Sequence, residues 1–181
     1  MSKKFIPLFL LVAVFLSSAF ILNASAENSN MSDQQVQTIL SNCSSTKNTL
    51  NQLHASDALL RVNMGQIYES ISTKMMNGFN ERVSNNKFNN SDLVNTTNDY
   101  NLTLNTFRSD YKVYEEHLSS AIKIDCSKQP VAFYDAVSLA RSERDRVHAD
   151  IAKLNQYLDQ YKSAIEKFEK DFQSNNGEGK N

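Results

Sequence analysis

Few residues in this chain have the type and placement to do chemistry. Cys43 and Cys126 are its two cysteines. Outside the cytoplasm an even pair most simply forms a disulfide, the alternative being two separate buried thiols. Asp57, in the stretch HASDALLR, falls where the flanking spacing calls for an apolar residue, and Arg144 interrupts another apolar stripe in the same way. Asp57 lies 14 residues past Cys43, and Arg144 lies 14 past Pro130. Counting 14 residues back from Cys126 brings Tyr111 and Tyr114 to the same level. A lone buried charge is costly, so two opposite charges at one height predict a buried polar layer of Asp57, Arg144, Tyr111 and Tyr114. Such a layer fixes helix order and register rather than catalysing anything. The competing arrangement pairs Asp57 with Arg61, four residues on, and lets Arg144 snorkel beside Glu143 or Asp145.

The remaining candidates are weaker. His54 and His117 fall at similar heights, with Glu115 and Glu116 close by, which makes a loose metal site conceivable and solvated flank histidines the plainer reading. Four glycines are too few and too scattered for a phosphate loop, and HExxH, CxxC, GxSxG and EF-hand patterns are missing. No cofactor and no enzymatic activity are expected. Sequons at Asn42, Asn89, Asn95 and Asn101 carry little weight in a chain so rich in asparagine.

The elements that position these residues are legible in the spacing. Three long segments repeat apolar residues at steps of three and four. The first includes Leu50, Leu53, Leu60, Met64, Ile67 and Ile71. The second includes Leu93, Tyr100, Leu104, Phe107, Tyr111 and Leu118. The third includes Val137, Val147, Ile151, Leu154, Leu158 and Ile165. Sustained heptads predict helices packed as in coiled coils. Only four Gly and two Pro leave little material for turns, so the elements must be long. The fold class expected is all-α: an elongated antiparallel up-down-up three-helix bundle, after an N-terminal signal or anchor helix. Ser32 with Gln35 reads as a capping box, SNNKFNNSD (84 to 92) as a turn whose Asn90 or Ser91 caps the second helix, and IDCSKQP as a second break before a helix opening at Pro130.

The cysteines set the register. Cys126 lies 34 residues beyond position 92, whereas Cys43 lies 41 before position 84. Seven residues of helix are about 10 Å, too far for a disulfide. The first helix is therefore expected to break, kink or shift register near residues 75 to 80, with Gly78 as its end. Ile67, Ile71, Met75, Phe79 and Val83 step by four, which also marks a slip. Met75, Met76 and Phe79, with Phe88 in the turn, read either as core or as an apolar tip for a partner or a membrane. Leu59, Tyr68, Leu102, Phe133 and Tyr134 lie off the main stripes, where they cover the bundle or form a second face.

The chain opens with Lys3 and Lys4, an apolar run over residues 5 to 22, and Ala24-Ser25-Ala26. This reads as a secretory signal, 1 to 26, or as an uncleaved membrane anchor. Either places residues 27 to 173, the bundle domain, outside the cytoplasm, followed by a polar tail expected to be disordered, 174 to 181. Removing Lys3 and Lys4 takes the 19 basic residues to 17 against 20 acidic ones, a net charge of −3. That lacks the electrostatic footprint of a nucleic-acid binder, and membrane contact is expected only through the N-terminal segment.

The segments IYESISTKMMNGFNERV and FRSDYKVYEEHL, with the paired cysteines, resemble uncharacterised secreted or surface-anchored helical coiled-coil proteins of bacteria. The resemblance implies a surface location and brings no chemistry and no functional residues. The expectation is an extracytoplasmic protein with a structural or protein-interaction role at the cell surface. Its partner would be a protein or an envelope component, and self-association is possible. The alternative is a membrane-acting protein using the tip near Met75 to Phe79.

Overall fold

The computed structural model describes residues 31 to 177, and side chains through 174. The signal or anchor expected over 1 to 26 and the last four residues lie outside them. The described chain is all-helical, with no strand. Helix α1 (Asp33–Ser70) passes into a π-helical stretch (Ile71–Asn77) and then α2 (Gly78–Asn85) without leaving helical geometry. Helices α3 (Ser91–Lys123) and α4 (Pro130–Gly177) follow. The last of these continues beyond 173, into the stretch expected as tail.

The caps explain the boundaries. Ser32 Oγ accepts from Gln35 N–H at 3.3 Å while Gln35 Oε1 accepts from Ser32 N–H at 2.8 Å, a reciprocal box. Asn90 stands at the start of α3 but makes no side-chain cap. Its amide instead donates to the Asn80 carbonyl at 3.0 Å, tying the turn to α2. Pro130 opens α4, where its missing N–H costs nothing.

The core lies mainly between α3 and α4. Tyr100, Leu104, Phe107, Leu118 and Leu154 are buried there. Across its 38 residues α1 buries only Leu50, Asp57 and Tyr68. Contacts along the rods follow a consistent order. Cys43 bonds to Cys126, Asp57 meets Tyr114, Tyr100 reaches Tyr68, and Asn80 meets Thr97. Between α3 and α4, Asp92 pairs with Lys167 at 2.7 Å and Asp110 approaches Asp150.

The expected end of the first helix at Gly78 is not found. Gly78 is right-handed helical (φ −63°, ψ −32°) and the chain runs on to Asn85. The disulfide nonetheless forms, with Cα atoms 5.7 Å apart. Two features reconcile the lengths. The wider π stretch advances less per residue. Beyond Lys123 the chain also leaves the helix, with Ile124 extended (ψ 132°), so the step to Cys126 reaches further than continued helix would.

The same stretch rotates the buried face. The stripe expected through Ile67, Ile71, Met75 and Phe79 is one residue out. Tyr68, Ser72, Met76 and Asn80 are buried instead, and the stripe is rejoined at Val83, which is buried. A step of four overshoots an α-turn and falls short of the i→i+5 turn of a π-helix, so across a mixed segment it stays in line. Two polar residues thereby enter the core, and two large apolar ones, Ile67 at 49 % exposed and Met75 at 63 %, leave it.

Candidate interaction site

The structure brings Asp57, Arg144 and Tyr114 together. Tyr114 Oη donates to Asp57 Oδ2 at 2.7 Å, and Arg144 Nε donates to the same oxygen at 2.9 Å. The Asp57 side chain is 11 % exposed and that of Arg144 36 %, so the pair sits at the edge of the core with its cation partly wet. Burial opposes ionisation of Asp57, but the hydrogen bonds from Arg144 and Tyr114 and the arginine charge outweigh it and hold the carboxyl below its ordinary range. Burial, then the Asp57 carboxylate, pushes the Tyr114 phenol far up, so it stays a donor. Tyr111 is buried one turn away but does not join these bonds. Its ring lies 5.2 Å under the Arg61 guanidinium, which is where Arg61 goes instead of pairing with Asp57. Glu143 is buried and bonds Arg146 at 3.0 Å, not Arg144.

A second polar cluster, around the π stretch, was not anticipated residue by residue from the sequence. Tyr161 Oη is shared between the Met76 carbonyl at 3.1 Å and Asn80 Oδ1 at 2.8 Å. Asn80 donates to Thr97 Oγ1 at 2.9 Å, and Tyr100 Oη donates to the Tyr68 carbonyl at 3.2 Å. Two tyrosine hydroxyls thus serve backbone carbonyls on either side of a stretch where the regular ladder changes period. Burial raises the Tyr161 phenol to about 12. The only usable signal was the run of four-residue steps.

The four residues read as an apolar tip part company. Met76 is 1 % exposed and belongs to the core. Phe79 and Phe88 both pack edge-on against Phe168, at 6.0 and 5.9 Å. Met75 alone is largely bare. His54 lies 3.4 Å from Ser119 Oγ and 3.9 Å from Glu115, and does not meet His117; no cluster able to hold a metal occurs among the described residues. Of the off-stripe residues, Tyr68 and Phe133 are buried while Leu59, Leu102 and Tyr134 are exposed.

What remains is an open apolar seam between the first rod and α4. Beside the ion pair, Leu60, Met64, Val147 and Ile151 line a cleft of about 160 Å³. Further along, Met75, Phe79, Leu158 and Ile165 line another of about 630 Å³. Leu60, 56 % exposed, borders the first cleft and Met75, 63 % exposed, the second; Ile67, between them in sequence at heptad-like spacing, is 49 % exposed. An exposed apolar row of this kind is the sort of surface at which contacts form. No described helix is long and apolar enough to cross a membrane. No protein-family model, curated protein or solved structure matches the chain.

Proposed function

We propose that this chain is an extracytoplasmic three-helix module, up-down-up in topology, that binds another protein at the cell surface and performs no catalysis. Partners on α3 fall in number as those on α1 and α4 rise, which supports alternating directions. The leader-like start and the Cys43–Cys126 bond favour an oxidising compartment outside the cytoplasm. The observation that carries the reading is the uncovered row Leu60, Ile67, Met75: the fold leaves it open while burying Ser72 and Asn80 beside it.

A photo-crosslinker at Met75 or Leu60, introduced in cells, tests the reading. Adducts with one envelope protein from these positions, and none from Lys112 on α3, are expected. Equal labelling from all three overturns it. The membrane-acting alternative loses Met76 to the core and Phe79 to the Phe168 contact, and dye release from liposomes by the purified chain would be needed to restore it.

A further inference from the structure

The open seam has a charged border. Arg61 lines its first cleft, and Lys74, Arg82 and Lys162 line its second. None of these four is ion-paired among the described residues, and Glu166 is the one carboxylate of the second cleft. Asp57, in the first, is already spent on Arg144. The Arg61 and Arg82 guanidiniums rest 5.2 and 5.9 Å from the ring centres of Tyr111 and Phe79. Stacking fixes where these cations stand without neutralising them. The second cleft thus sets three cations, Lys74, Arg82 and Lys162, against one carboxylate, Glu166.

We propose that this seam is the docking groove for an acidic amphipathic helix from a partner protein. The partner's apolar stripe covers Leu60, Ile67 and Met75, and its flanking carboxylates face Arg61, Lys74, Arg82 and Lys162. The inference rests on the reading of the chain as an interaction module and names the chemistry of what it binds. A helix fits because the groove runs between two helices and its apolar positions recur at 60, 67 and 75, the geometry in which one more helix completes a bundle. From Arg61 to Arg82 the groove is about 30 Å long, or about 20 residues of helix. A lipid surface fits less well, since the row borders clefts between two helices, a shape that a third helix fills and a flat bilayer does not.

Two synthetic 21-residue helices with one leucine heptad, flanked by glutamates in one and lysines in the other, test the proposal by fluorescence anisotropy against the full chain. The glutamate helix is expected to bind at least tenfold more tightly than the lysine helix. M75E should weaken it at least tenfold while leaving the melting curve in place, because Met75 is exposed. The double change K74E/K162E should invert the preference. Equal binding of the two helices, binding of neither, or indifference to M75E overturns the proposal. So does a chain that self-associates, or that co-sediments with phosphatidylserine vesicles, through Met75, since the occupant is then a second copy or a membrane. If neither helix binds while the Met75 crosslink persists, the acidic-helix chemistry fails and the interaction reading survives; loss of both removes both.

Discussion

Arg144 and Tyr114, from α4 and α3, donate to one and the same atom, Oδ2 of Asp57 on α1. One carboxylate oxygen therefore links all three rods at a single level. Since α1 buries so little else, this is the strongest non-covalent link between its middle and the α3–α4 pair.

Removing either charge strands the other. For a fully buried pair the cost is about 3–5 kcal/mol. With the Arg144 side chain one-third exposed, Asp57→Leu or Arg144→Leu is expected to cost about 2 kcal/mol. The double variant D57L/R144L should cost under about 1 kcal/mol, because no charge is left unpaired. Urea unfolding of the four proteins measures this; strictly additive losses would mean that the two residues do not interact.

Asp57 and Asp150 respond to pH in opposite senses. Asp57 titrates below its ordinary range when folded. Its contribution is therefore present above about pH 4 and lost as the pH falls through the lower folded value. Asp150 is raised, by burial first and then by the charge and hydrogen bond of Asp110, against a smaller pull from Lys153. Its Oδ2 is buried without a hydrogen-bond donor, because two carboxyls bond only when one carries a proton. Its contribution is present at low pH and lost as the pH rises through the raised folded value. Asp150→Asn should thus stabilise the protein at pH 7, by about 1 kcal/mol, and the gain should vanish near pH 3. Unfolding midpoints at the two pH values decide it.

Reduction of the Cys43–Cys126 bond opens a loop spanning 83 residues. Chain entropy assigns it about 4 kcal/mol, which at this size lowers Tm by about 12 °C. The helical circular-dichroism signal at 25 °C should survive, because the core lies mainly between α3 and α4 and α1 contributes few buried residues. Collapse of the whole signal on reduction would contradict that division.

Tyr161→Phe removes the donor shared by the Met76 carbonyl and Asn80. A loss of about 1–2 kcal/mol is expected, with faster amide exchange confined to residues around the π stretch. Tyr134→Phe, at an exposed position, should change neither.

How far the sequence reaches depends on whether the helix keeps one period. The pairing of Asp57 with Arg144 could be anticipated because α1 up to residue 57, α3 and α4 obey simple residue counting. Counting fails at Ile71, where the period changes. Around it Tyr68, Ser72, Met76 and Asn80 take the interior, Ile67 and Met75 are exposed, and Ile71 and Phe79 are half-buried against the core. Apolar character alone cannot reveal the swap, because the residues that move outward are the more hydrophobic set. The disulfide constraint made an irregularity of the first rod legible, but it falls at 71 to 77, with no break at 75 to 80. Its form was not legible: a wider helical turn together with extended residues after Lys123 satisfies the same distance as a helix end at Gly78.

The sulfur bridge also settles how the protein carries load. Tension entering at Met31 travels a dozen residues to Cys43, crosses the bond to Cys126 and leaves along α4. The segment between the cysteines is bypassed, and with it the π stretch and the Asp57 anchor point. Pulling on the two ends would stretch α4 while the middle of α1 remains slack.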